Sequence, residues 1–144
     1  KITKKMKNFD KIFYMLGNNK LNYKDTTNLK FIGRIPFMKT SEFFSTSFLF
    51  INTSVHEGFP NTFLQSWFNK VPVITLGVDP DGIITKHKLG FVCKSINEVI
   101  EKIKNLVEDK NEYNEISHNC YNYAIDNHRI SDVVDDYIET LTKI

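Results

Sequence analysis

Most of the usual pointers to function are missing from this sequence. It has only two cysteines, Cys93 and Cys120, with neither metal-ligand spacing nor the count of a disulfide framework. They read as free thiols, as in a cytosolic protein. Charge of one sign is not in excess: 19 basic and 17 acidic residues leave a net charge of +2. That balance gives no electrostatic footprint for nucleic acid. No run reaches the roughly 18 continuous apolar residues of a membrane-spanning helix. Residues 1–11 are charged but no apolar segment of a signal peptide follows. There is no internal repeat and no low-complexity linker. A GxGxxG fingerprint, a P-loop and a Ser-His-Asp arrangement are all absent, so a plain dinucleotide-binding enzyme lacks its signature.

What is present suits one domain over residues 1–144, with 41% hydrophobic residues and 12 phenylalanines to build a core. Residues 1–8 are basic and show no clear apolar face. Strands are predicted over 11–16, 28–32, 48–51, 72–76 and 90–93, each a short apolar run. A short helix from Thr40 to Ser47 would turn Phe43 and Phe44 inward. Beyond residue 94 the period changes. Ser95 and Glu98 form a capping box ahead of Ile96, Val99, Ile100, Ile103 and Leu106. Tyr113, Ile116, Cys120 and Tyr123 mark a second helix; Ile130, Val133, Val134, Tyr137, Ile138 and Leu141 mark a third, capped by Ser131. Strands alternating with helices predict an α/β fold: a Rossmann-like parallel sheet with helices on both faces, ending in a helical segment. Gly17, Gly33, Gly58 and Gly77 each follow a strand, which would gather them at the carboxyl edge where such sheets bind ligands.

The chain is organised around Ser54-Val55-His56-Glu57-Gly58-Phe59-Pro60-Asn61-Thr62-Phe63-Leu64-Gln65-Ser66-Trp67. It follows the apolar run Phe48 to Ile51 and enters a helix whose apolar positions are Phe63, Leu64, Trp67, Phe68 and Val71. Asn61 is the expected N-cap. A helix N-terminus offers free N–H groups and about half a positive charge, a natural seat for phosphate. Gly58 lets a ligand come close to the backbone, and Glu57 can accept hydrogen bonds from hydroxyls. Phosphate beside polyol describes a sugar nucleotide.

Glu57-Gly58-Phe59-Pro60-Asn61 resembles the signature of retaining glycosyltransferases of family 4, which have the GT-B fold. In that family a second Glu stands where this chain has Gln65. The resemblance runs from roughly Phe13 to the C-terminus and corresponds to the C-terminal, nucleotide-sugar-binding half. It implies that the N-terminal acceptor domain, and a first strand with a basic phosphate-gripping loop, are absent from these residues. It also implies that Glu57 contacts the donor sugar at the reacting centre, making it the candidate catalytic residue. Gly58, Phe59, Pro60, Asn61 and Thr62 would hold the diphosphate, mainly through backbone N–H groups. Gln65 would meet the ribose hydroxyls, without the charge-assisted strength of a carboxylate; its bland alternative is a partly buried helix residue. Arg34 could lie along the base or the phosphates.

Other residues read more plainly. His56 is a surface loop residue rather than an acid or base, and Trp67 is core. Asp79-Pro80-Asp81 looks like the acid pair of metal-dependent transferases, but before Gly82 it reads as a turn. No cofactor is expected, because GT-B enzymes generally need no metal.

The implied reaction transfers a sugar from a UDP- or GDP-linked donor to a glycan, lipid or other acceptor hydroxyl with retention, in surface polysaccharide assembly. Such enzymes work in the cytoplasm, often at the inner face of the membrane. Two other classes stay open: a nucleotide- or partner-binding remnant without turnover, and a GT-B nucleotide-sugar epimerase.

Overall fold

The computed structural model describes residues 1–17, 24–54 and 56–142. Asn18 and Asn19, expected to end the first strand, and Val55 of the central stretch lie outside the described residues. The described chain opens with α1 (Ile2–Lys5), followed by β1 (Phe13–Leu16), β2 (Leu29–Gly33) and α2 (Phe37–Ser45). Then come β3 (Phe50–Asn52), α3 (Asn61–Phe68), β4 (Val73–Leu76), a 3-10 turn at Pro80–Gly82, α4 (Ile83–Lys86) and β5 (Gly90–Cys93). Three helices close the chain: α5 (Ile96–Glu108), α6 (Lys110–His128) and α7 (Ile130–Thr142).

Among the described residues the five strands pair in parallel, as the alternation predicts. They form two ladders, β1 beside β2, and β3-β4-β5 with β4 in the middle. Phe50 pairs with Val73 and Val73 with Gly90, so the carboxyl ends of these three strands lie at one edge. The central strand is the most apolar and β-branched, and it is the most buried: Val73, Ile74 and Thr75 are all fully covered. β1 is poorly covered, with Tyr14 53%, Met15 48% and Leu16 39% exposed. Helix α2 bridges the ladders: Phe43 meets Tyr14 with ring centroids 6.3 Å apart, and Phe44 meets Phe50 at 5.4 Å.

The helices behave as their periods require, with local differences. Ser95 Oγ accepts the Glu98 N–H (3.2 Å), while Glu98 Oε2 reaches one residue past the cap, to the Lys94 N–H (2.8 Å). Val99, Ile103 and Leu106 face the core from α5. Asp109, not singled out from sequence, caps α6 by accepting the N–H groups of Asn111 and Glu112, both at 2.9 Å. Ser131 is not a cap. Helix α7 already begins at Ile130, after an extended Arg129, and the Ser131 hydroxyl donates to Asp132 Oδ1 (2.8 Å). The basic N-terminal stretch does have an inward face: Met6 is buried, and Ile2 and Phe9 pack on the core. Both thiols are free and buried. Among the described residues no helix is long and apolar enough to cross a membrane.

Candidate functional site

Strand β3 ends in Asn52, a buried residue whose side-chain oxygen accepts the Ser54 N–H at 2.7 Å. That bond turns the chain outward at the carboxyl edge. His56, Glu57, Gly58 and Phe59 follow, all exposed, and Pro60 returns the chain to the interior. The backbone at Gly58 is bare: a Cβ built there would meet nothing within 4 Å. Gly58 does not adopt the left-handed backbone seen at Gly17, Gly33 and Gly77. The space it leaves is open for a ligand, and no turn geometry demands it.

Helix α3 starts one residue earlier than expected. Asn61 is its first helical residue, and Pro60 is the N-cap, with φ −70° and ψ 123°. The proline ring fixes φ near the value an extended cap can use, so the helix begins immediately after it. The consequence is chemical. Proline has no side-chain acceptor, and no side chain caps α3, whereas Ser95 and Asp109 cap α5 and α6. The Phe63 N–H turns back to the Pro60 carbonyl at 2.9 Å. The N–H groups of Asn61 and Thr62, at the first two helical positions, have no acceptor inside the helix.

One face of α3 carries the candidate side chains. Asn61 and Thr62 are exposed and Gln65 is half-buried, one turn further on the same side. Phe63, Ser66 and Trp67 occupy the opposite, buried face. Among the described residues, the side chains of Glu57, Asn61, Thr62 and Gln65 make no hydrogen bond or ion pair with one another or with the rest of the chain. Glu57 to Thr62 and Gln65 thus come together at one helix entrance. Arg34 does not join them by any such contact. It is exposed, just beyond the carboxyl end of β2.

Phe59 also packs through its ring, a contact that backbone reasoning missed. Its ring stands edge-on to Trp67 at 6.0 Å and tilted against His128 at 5.6 Å. Trp67 is core, as expected, and fully buried. Tyr123 and His128, from the far end of α6, complete the packing around it. Burial lowers the pKa of His128 below its ordinary 6.5 and raises that of Tyr123, to which Asp81 adds. Sequence spacing could not reveal these two residues, because only the packing of α6 on α3 brings them to the loop.

The neighbouring loop, after β4, is a turn. Asp79 Oδ1 accepts the Ile84 N–H at 2.8 Å, and Asp79 Oδ2 accepts the Thr85 hydroxyl at 2.6 Å. Its carboxylate is therefore engaged at the start of α4. Among the described residues no three His, Cys, Asp or Glu side chains are grouped to hold a metal ion.

Comparison with known proteins follows the same outline. HepE of Anabaena, in a crystal structure with UDP-glucose, superposes with a TM-score of 0.76 at 16% identity, over 92% of this chain and 41% of that one. A second HepE structure, with UDP, gives 0.71 at 19% identity over 81% and 33%. WaaG, a glycosyltransferase involved in lipopolysaccharide biosynthesis, gives 0.66 at 17% over 78% and 33%. At these identities the likeness establishes the fold, the Rossmann-like half of GT-B. The chain spans less than half the length of each of these proteins. No curated protein matches the sequence. Residues 1–109 match the family described as glycosyl transferases group 1, and the chain belongs to that family.

Proposed function

We propose that this chain is the donor-binding half of a retaining glycosyltransferase of family 4, a single domain that holds a nucleotide-diphosphate sugar. The observation that carries the reading is the uncapped entrance of α3. Two free N–H groups, at Asn61 and Thr62, open beside the exposed Glu57 and the bare backbone of Gly58. The donor diphosphate sits against those N–H groups and the positive end of the helix dipole. Glu57 accepts hydrogen bonds from the sugar beside the reacting carbon. Gln65 accepts one from the ribose, and Phe59 and Pro60 hold the loop. Arg34 reaches the base or the phosphates from the end of β2.

In the reaction the bond between the anomeric carbon and the diphosphate oxygen breaks. The acceptor hydroxyl oxygen takes that carbon on the same face, and its proton leaves with the diphosphate. This half of the enzyme contributes placement of the donor and stabilisation of the departing charge, ordinarily the largest catalytic term. The helix entrance supplies that stabilisation without a metal. The acceptor, a glycan or lipid hydroxyl in surface polysaccharide assembly, belongs to a partner domain, and the work is done in the cytoplasm at the inner membrane face. HepE binds UDP-glucose, which supports a UDP-linked donor here. A second reading, nucleotide binding without turnover, is favoured by one observation: the neutral Gln65 at the ribose position.

Calorimetric titration with UDP, GDP and their sugar conjugates tests the proposal. Micromolar to millimolar binding, with amide shifts centred on residues 57–65, is expected. The Glu57→Ala chain should keep its fold and lose about tenfold or more in donor affinity, the scale of one charge-assisted hydrogen bond. Unchanged affinity removes Glu57 from the site.

A further inference from the structure

Two buried polar atoms in the described chain have no hydrogen-bond partner, Trp67 Nε1 and His128 Nε2. They belong to one closed ring of four side chains. Trp67 and Tyr123 have centroids 5.4 Å apart, Tyr123 and His128 5.5 Å, His128 and Phe59 5.6 Å, and Phe59 and Trp67 6.0 Å. Three of these rings come from α3 and α6. The fourth, Phe59, is next to Gly58 in the donor loop.

A phenylalanine at position 128 would fill the same space without an orphan nitrogen. The histidine therefore brings something that packing does not require. Neutral, it behaves as one more ring of the box. Protonated at Nε2, it carries a charge and a second donor that the box cannot satisfy. The charged and titratable groups around it do not compensate. The loop carries His56 and Glu57, both exposed. His87 lies against Tyr123 at 4.8 Å, on the α4 side, and Asp81 acts on Tyr123. At the start of α7, Arg129 is occupied by Asp132 at 3.9 Å. The effect of burial is correspondingly to disfavour the imidazolium.

We propose that His128 is a positioning residue for the donor loop: through Phe59 it holds Glu57 and Gly58 in their binding arrangement, and uptake of a proton at Nε2 releases them. The sign is fixed by burial. The neutral ring prevails at neutral pH. As pH falls below 6.5 and through the lower folded value, the box loses the stability the neutral imidazole gave it. Donor binding weakens in the same window. This rests on the reading of the loop as the donor site.

The test separates the two ideas. Backbone amides of Gly58 and Phe59 and the ring signals of His128 are followed by NMR from pH 8 to 5 in a His56→Gln background, which removes the neighbouring titration. Expected is a shift of both amides with the His128 midpoint, below 6.5, and its loss in His128→Phe. His128→Gln serves as a second non-titrating variant should the first not fold. Amides that stay flat through the His128 transition, or that still shift in the variants, overturn the proposal. UDP-glucose affinity measured over the same range should fall toward low pH, by no more than tenfold per pH unit, the limit for one proton, and should be pH-independent in the variants. A titrating loop with constant affinity also overturns the proposal. If UDP-glucose binds at no pH, the donor reading fails, and the amide titration alone decides whether His128 governs the loop.

Discussion

Gly90→Ala is the substitution the architecture tolerates least. Gly90 opens β5 and pairs with Val73 on the central strand, with φ at +147°. A Cβ placed there would lie 1.8 Å from the Val73 carbonyl oxygen and 2.8 Å from its nitrogen, against about 3.4 Å for ordinary contact. The obstacle is backbone in a paired strand, so no rotamer change relieves it. The strands must part, and the bond from the Val73 N–H to the Leu89 carbonyl, 3.1 Å, parts with them. Backbone strain at such a φ costs about 1–3 kcal/mol. A buried backbone group left unpaired costs about as much again. The total, about 4 kcal/mol, is a large share of the roughly 5–15 kcal/mol that holds a domain together. For a chain of this size it lowers the melting temperature by about 12 °C or more. Thermal unfolding followed by far-UV circular dichroism measures it. Gly58→Ala is the control, with open space and an ordinary φ, and should stay within about 0.5 kcal/mol of the parent. A Gly90→Ala chain melting within about 3 °C of the parent would refute the reasoning.

Three further expectations concern single side chains. Gln65→Glu should strengthen UDP-glucose binding about fivefold, since a charge-assisted bond gains about 1 kcal/mol over a neutral one; weaker or unchanged binding by calorimetry takes residue 65 away from the ribose. Asp79→Ala should cost about 1–2 kcal/mol in urea unfolding by freeing the Ile84 and Thr85 N–H groups, whereas Asp79→Asn, which still accepts, should cost less than half of that; equal losses contradict the capping role. Burial, with Glu98 adding, pushes the Cys93 thiol up to about 11, and burial pushes Cys120 higher still. Neither should react with a disulfide reagent in the folded chain from pH 7 to 9, and both should react once it is unfolded; rapid native labelling would show that the core around α5 and α6 opens.

The elements were legible where one physical signal dominated. Val73-Ile74-Thr75-Leu76 could be read as a buried strand because four β-branched or apolar residues leave no polar face. Helix α5 could be read from its period and its Ser95 cap together. The misreadings fall where two signals competed for adjacent residues. Asn61 has the better capping side chain, but Pro60 has the backbone angle, and the angle decided. Ser131 looks like a cap before Val133 and Val134, yet the extended residue is Arg129, so α7 starts ahead of the serine. Met6 sits in a stretch of lysines whose local pattern carries no period, and its burial comes from the docking of α1 against α5. The candidate loop was readable from Glu57 to Gln65. The ring around Phe59 was not, because Tyr123 and His128 are joined to it by tertiary packing alone.

Helices α1, α2 and α3 all start without a side-chain cap, α2 behind Pro36 as α3 does behind Pro60. Helices α5 and α6 are capped by their own side chains, and their buried faces hold Val99, Ile103, Leu106, Ile116, Cys120 and Ala124. Along those faces cap and period agree, up to His128 at the end of α6, whose Nε2 has no partner. That nitrogen lies beside the loop after β3. The helix that leaves the loop has no side-chain cap, its first turn keeps two N–H groups free, and the rings beneath Phe59 contain both unpartnered nitrogens. Each departure costs stability when considered alone, a missing cap by about 1 kcal/mol and an unpaired buried donor by about 1–3 kcal/mol. What sets the entrance of α3 apart is the conjunction at the carboxyl edge of a parallel sheet, where such folds bind ligands: two free N–H groups, the exposed Glu57 and the bare backbone of Gly58.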